Sequence, residues 1–218
     1  RLKCGDNLIV CDGQGMDYNV RIDRIEENSV YALIIDSFKS FTEPPIGITL
    51  LQGMPKSDKM DYIIQKCVEL GVNRIVPVLT ERTVVKIDNN KDAQKKAERW
   101  NKISKEASKQ CNRGIIPKVE IPVSFIESLD ILKNSDLALI PYEKETINSL
   151  RYILSDRKNV NNICVMIGPE GGFTEKEVDL AVNVGATSVT LGPRILRTET
   201  AGLAVLSIIM YEMGDVGR

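Results

Sequence analysis

Arg194, Arg197, Glu199 and Glu170 are the side chains of this 218-residue chain whose types and setting could do chemistry. They lie in two glycine-rich turns near the C-terminus, Ile167-Gly168-Pro169-Glu170-Gly171-Gly172-Phe173 and Leu191-Gly192-Pro193-Arg194-Ile195-Leu196-Arg197-Thr198-Glu199-Thr200-Ala201. Two permanent positive charges beside a carboxylate suit recognition of an anion or a nucleobase, and glycines let a ligand approach the main chain closely. Because the chain has no histidine, acid–base chemistry falls to carboxylates, tyrosines, lysines and arginines. A P-loop needs a lysine and a hydroxyl residue after its glycines, and the dinucleotide fingerprint spaces its glycines differently; neither spacing is present. Taken singly, the first turn also fits a purely structural bend, and each arginine also fits a surface ion pair.

Each turn follows an apolar run, Ile163–Ile167 and Ser188–Leu191, that reads as a parallel-sheet strand. The two turns should then lie side by side at the carboxyl edge of one sheet, where such folds bind ligands. Thr174 and Glu177 form a capping-box signal for a helix burying Val178, Ala181 and Val182, with Gly185 at its end. Thr198 is the expected cap of a last helix through Leu203, Ala204, Val205, Ile208 and Ile209, and the small residues Ala201 and Gly202 would let it start very near a bound molecule. Upstream, Ile48–Leu51 and Arg74–Leu79 read as strands around a helix capped by Ser57 that buries Met60, Ile63, Ile64, Cys67 and Val68 and closes at Gly71. A further helix from about Asp92 to Gln110 carries a seam of Ala93, Trp100, Ile103 and Ala107, and Leu137–Pro141 is the next strand. This alternation argues for an open α/β domain over residues 44–218. Residues 1–43 differ: short strand candidates at Leu8–Cys11, Tyr18–Ile22 and Ser29–Ile35 predict a small, incomplete β-barrel, joined through the proline-containing stretch Lys39–Gly47.

Composition sets bounds. With 43% apolar and 27% charged residues the chain is globular, and 29 basic against 30 acidic residues is unlike a protein that binds nucleic acid by bulk attraction, so an RNA role needs a local basic surface. No run approaches the ~20 apolar residues that cross a bilayer, and no secretory segment opens the chain, so a cytoplasmic protein without a membrane partner is expected. The five cysteines form no CxxC pair, which predicts neither a disulfide framework nor a metal site; Cys67 and Cys164 sit in apolar contexts that suit core thiols.

The two turns closely resemble those of the RsmE family, the 16S ribosomal RNA (uracil-N3)-methyltransferases of the SPOUT superfamily. Lys59-Met60-Asp61, Gln65 to Val72, Pro77, Glu81-Arg82 and Glu106 to Arg113 extend the resemblance over nearly the whole chain in the family's order. The resemblance implies a C-terminal domain with a deep trefoil knot, where an unknotted doubly wound sheet would be the ordinary alternative. It also implies an N-terminal PUA-like barrel that begins before this chain does. The implied cofactor is S-adenosyl-L-methionine, held by Leu139, Pro141, Ile167, Gly168, Gly172, Leu191, Gly192, Ile195, Leu196 and Ala201. The implied reaction is methylation of N3 of a uridine near the decoding centre of 16S ribosomal RNA by a homodimer. Arg197 would stabilise charge on the uracil, Glu199 and Glu170 would act as acid–base or orienting groups, and Arg82, Arg113, Lys56 and Lys59 would position the RNA. A related SPOUT enzyme acting on transfer RNA or another ribosomal nucleotide, and a non-catalytic RNA-binding module, are the competing readings.

Overall fold

A computed structural model describes residues 2–87, 89–155 and 160–217. The chain divides into two compact units, Arg1–Glu43 with Ser108–Ile116, and Pro44–Ala107 with Pro117–Arg218. In the first, β1 (Asn7–Cys11), β2 (Met16–Ile25) and β3 (Val30–Lys39) form an antiparallel sheet in the order β1-β2-β3. The later segment Ser108–Ile116, placed by the sequence reading in the second domain, joins this unit: the Gly15 N–H donates to Gly114 O and the Ile116 N–H to Gly13 O.

In the second unit a parallel sheet runs in the order β10-β8-β9-β4-β5-β6, with β7 also paired to β5. Its strands are β4 (Gly47–Gly53), β5 (Arg74–Leu79), β6 (Lys118–Val119), β7 (Val123–Ser124), β8 (Leu137–Pro141), β9 (Asn162–Ile167) and β10 (Thr187–Val189). The helices are α1 (Lys59–Glu69), α2 (Asn90–Gln110), α3 (Phe125–Lys133), α4 (Leu150–Ser155), α5 (Glu175–Asn183) and α6 (Thr198–Glu212). Parallel strands need crossovers, and helices on both faces bury them, which is why β4, β5, β8 and β9 read as continuous apolar runs rather than alternations. Leu51, Val76, Ala138, Cys164 and Met166 meet the buried residues of α3 and α5 on one face, with the Phe125 and Phe173 rings 6.3 Å apart. The opposite face of β4 and β9 carries α6, which packs on α1.

Several local expectations hold. Both bonds of the Thr174–Glu177 capping box are present, α1 and α5 end before Gly71 and Gly185, and Cys67 and Cys164 are buried, their thiols pushed up by loss of solvent, Cys164 to about 12. Others are corrected. Ser57 does not cap α1, because its backbone is left-handed at φ 56°; the helix begins at Lys59 after Asp58, which makes no side-chain cap bond. Val182 is 44% exposed, since the helical repeat from Val178 and Ala181 carries it past the sheet. The strands preceding the two turns are not neighbours either: β8 lies between β9 and β10, so three strand ends converge at one edge.

The end of β4 is pressed against the first glycine turn. A methyl group added at Gly53 would lie 2.6 Å from Pro169 Cδ and N and 2.9 Å from the Gly168 carbonyl carbon. Gly202 in α6 is the contrasting case, for a methyl there would meet Gln52, Ile167 and Leu50 at ordinary distances of 3.6–3.9 Å. It therefore faces the core rather than a ligand. Gly53→Ala should destabilise the protein by about 1–3 kcal/mol through overpacking against rigid backbone, whereas Gly202→Ala should be neutral or stabilising by up to about 1 kcal/mol. Denaturant melts of the two variants check this; an unperturbed Gly53→Ala protein would show that the turn can yield.

Candidate functional site

At the carboxyl edge of the parallel sheet the segments after β8, β9 and β10 enclose a cavity of about 810 Å³. That is within the range of small-molecule sites, and the edge is where open α/β folds place them. Pro141, Ile167, Gly168, Gly172, Leu191, Gly192, Ile195, Leu196 and Ala201 all line it, so nine of the ten residues expected to bind a cofactor are brought together. Leu139 is not among them: fully buried in β8, it pairs with Val165 and Thr187 two residues short of the edge. Gly172 takes φ 67°, a left-handed conformation that turns the main chain back after Pro169, whose carbonyl accepts the Gly172 N–H. Ile195 is 86% exposed, an apolar wall with little protein against it.

One hydroxyl ties the two turns together. Thr198 is not the cap of α6, whose cap is Arg197; instead its Oγ donates to Gly168 O at 2.6 Å and accepts from Gln52 Nε2 at 2.9 Å. Gln52 Nε2 also donates to Gly53 O, which fixes the orientation of the amide because both partners need a donor from it. The remaining Gln52 Oε1 is buried without a hydrogen-bond partner among the described residues, a cost that the network carries in order to hold this geometry. Gln52 was passed over in the sequence, though a polar residue closing the apolar run Ile48–Leu51 was the available signal.

The carboxylates are held by a lysine. Lys59 Nζ lies 3.0 Å from Glu170 Oε1 and 3.1 Å from Glu199 Oε2, and the Lys56 N–H donates to Glu170. The Glu199 contact is a Coulombic approach rather than a directed hydrogen bond. Burial works against ionisation of both acids, but Lys59 and backbone N–H groups outweigh it, helped for Glu199 by the Arg197 charge, and both stay below the usual carboxylate range. Lys59 is correspondingly raised, by Glu170 first and Glu199 second. Groups so depressed contribute stability above the unfolded carboxylate range and lose it only as pH falls through their folded values, so the cluster is intact at neutral pH. Lys59 thus forms part of the cavity wall, and the Lys56 main chain holds Glu170 in it.

Arg197 and Arg194 are exposed on that wall, and among the described residues neither guanidinium makes a hydrogen bond or ion pair. Arg82 donates to Gly171 O at 2.8 Å and braces the first turn from outside. Arg113 corrects the sequence reading: its side chain is buried and pairs with Glu43 at 2.6 Å, which also accepts the Ile115 N–H. It organises its own loop and is not presented to phosphate. Glu143 and Glu145 on the segment after β8 were unforeseen. The Ser188 hydroxyl, with the Ile147 and Asn148 N–H groups, draws Glu145 down to about 2 and pins that segment, while Glu143 brings a carboxylate over Gly172. Among the described residues no group of three or more His, Cys, Asp or Glu could hold a metal, and no helix is long and apolar enough to cross a membrane.

Comparison with known proteins bears on this geometry. Residues 42–210 match the family described as RNA methyltransferase domain. The ribosomal RNA small subunit methyltransferase E of Bacillus subtilis (strain 168) is 37% identical over 216 residues, covering 97% of this chain and 84% of its own. A crystal structure of the Neisseria gonorrhoeae ribosomal RNA small subunit methyltransferase E bound to S-adenosyl methionine superposes with a TM-score of 0.86 at 35% identity, over 99% of this chain and 87% of that one. The putative methyltransferase Lpg2936 of Legionella pneumophila, in complex with the bound cofactor SAM, gives 0.85 at 32%, over 99% and 87%. With the glycine turns, the convergent strand ends and this breadth of likeness agreeing, the chain belongs to the RsmE family of RNA methyltransferases within the SPOUT superfamily.

Proposed function

We propose that the cavity binds S-adenosyl-L-methionine and that the protein methylates N3 of a uridine in 16S ribosomal RNA near the decoding centre. The observation that carries the reading is the cavity itself, closed by three strand ends and walled by the residues that the family resemblance nominates. Its residues fit that cofactor. Main-chain groups of the two turns can read an adenine edge, Ile195 and Leu196 can pack on its face, and the Glu143 carboxylate suits a cationic or hydroxyl-bearing portion. When bound, the sulfonium supplies an already electrophilic methyl group. The protein then has to orient the uracil, stabilise negative charge on its carbonyl oxygens and let the N3 proton depart. Arg197, whose guanidinium makes no hydrogen bond or ion pair among the described residues, is placed to meet that charge. Glu170 and Glu199 orient rather than accept the proton, because ionised groups committed to Lys59 are weakened as bases; the proton passes to water.

Further parts of the reading rest on the family. The sheet order, with β8 between β9 and β10, and the return of α6 from β10 to pack on β9 and β4, support a deep trefoil knot in residues 44–218. The exposed Ile208 and Tyr211 of α6, with Tyr62 of the packed α1, support a homodimer through these helices. Residues 1–43 would serve as a partial PUA-like RNA-binding unit, and Lys56 and Arg82 as RNA contacts.

Single-turnover transfer from labelled S-adenosyl-L-methionine to small-subunit particles, with the product nucleoside identified, tests the chemistry. Arg197→Ala should slow transfer about a hundredfold with little change in cofactor affinity. Glu170→Gln and Glu199→Gln should each cost less than about tenfold; a loss of about a hundredfold or more in either would make that residue a general base. Failure to form N3-methyluridine would overturn the nucleotide assignment. The Thr198 link predicts that Thr198→Val and Gln52→Leu each weaken cofactor binding, about tenfold, and that the double variant loses hardly more than either, since both break one network. Calorimetric titration of the three proteins reads this, and additive losses would refute the link. For assembly, light scattering should show a dimer that Ile208→Asp with Tyr211→Glu converts to monomer; a monomeric parent protein would remove the dimer.

A further inference from the structure

The surface of α2 carries a row of lysines that the methyltransferase site does not use. Lys91, Lys95, Lys102 and Lys105 recur at helical spacing on its exposed side, where no apolar residue intervenes and Glu98 and Glu106 are the acidic interruptions. The opposite side is committed to the protein. Ala93, Ala97, Trp100 and Ser104 are buried, Ser104 donates to Pro117 O, and Asn101 exchanges hydrogen bonds with the Val119 N–H and carbonyl on β6. Arg99 is taken up by Asp58 and Asp61 at the start of α1, the helix whose Lys59 lines the cavity. Lys59, Lys66, Lys118 and Lys144 each meet a carboxylate, but among the described residues the four row lysines make no ion pair or hydrogen bond.

That arrangement works against the helix itself. Lys91 and Lys95 form a like-charge pair at i,i+4 and Lys102 and Lys105 one at i,i+3, each costing a few tenths of a kcal/mol, and Lys91 also faces the positive end of the helix dipole, while Glu98 and Glu106, each four residues from Lys102, offset the cost around that lysine. In a chain of net charge -1, α2 holds seven basic and three acidic residues, so the positive charge is local rather than general. The Lys91–Lys95 end weakens local structure with no acidic residue four positions away to offset it, which points to an external partner. An apolar-free outer side cannot insert into a membrane, whereas a row spanning about 21 Å along the helix suits successive phosphates of a polynucleotide.

We propose that Lys91, Lys95, Lys102 and Lys105 of α2 form a docking surface for the phosphate backbone of the ribosomal RNA substrate, an inference that rests on the rRNA methyltransferase reading above. It supplies the local basic surface that the balanced overall charge does not, and α1 links it to the cavity through Arg99.

The test uses the full chain with all four lysines changed to Gln, which keeps helix propensity, beside a charge-matched control changing Lys86, Lys133, Arg151 and Lys176 to Gln. Binding to in vitro transcribed small-subunit ribosomal RNA is titrated across salt concentrations, with methyl transfer to the same RNA in small-subunit particles followed in parallel. Four lost phosphate contacts should lower the slope of log affinity against log salt by about 3 and raise Kd at least about tenfold. Cofactor affinity should stay unchanged, and the control should keep the parent slope. A parent protein that methylates the RNA while the row variant keeps its salt slope would overturn the docking surface alone. So would a control that loses as much as the row variant, or a loss confined to binding of phosphatidylglycerol vesicles. Failure of the parent to methylate or bind any ribosomal RNA would instead overturn the function on which the surface rests, and the surface with it.

Discussion

The hydrogen bond from Thr198 Oγ to the Gly168 carbonyl, oriented by the buried amide of Gln52, is the contact on which the site depends. It joins residues 30 apart in sequence, and a third strand supplies the group that sets its direction. Glycine turns are conformationally permissive, so two of them facing one another have no fixed separation of their own. The Gln52 network provides one, and the close approach of Gly53 to Pro169 removes the space into which the first turn could relax. Leaving Gln52 Oε1 without a partner among the described residues is costly, which marks the geometry rather than the stability of the sheet as the thing maintained.

Electrostatics at the same edge follows a similar division of labour. Lys59 at the first turn of α1 would oppose that helix's dipole were it not neutralised by Glu170 and Glu199, and Glu199 in turn favours the N-terminus of α6. The three charges therefore lock two helix starts and a glycine turn, and leave Arg194 and Arg197 as the cations of the cavity wall that make no ion pair among the described residues. Chemistry that uses an electrophile brought in by a cofactor asks for alignment and charge stabilisation more than for a strong base. Carboxylates held by Lys59, with guanidinium groups on the wall that make no ion pair among the described residues, match that demand.

Much was legible without coordinates because it is local. The apolar runs of β4, β5, β8 and β9, the Thr174–Glu177 capping box, the core positions of Cys67 and Cys164 and the two glycine turns each follow from residues within one or two helical turns of one another. The absence of histidine and the nearly balanced charge bounded the chemistry in the same way. What depended on partners distant in sequence was missed. Ser57 and Thr198 both look like caps, yet the first has a left-handed backbone and the second spends its hydroxyl on another loop. Arg113 and Lys59 look like free cations, yet Glu43, Glu170 and Glu199 claim them. A side chain's type states what it can bond to, and only the fold decides which of its possible partners comes within reach.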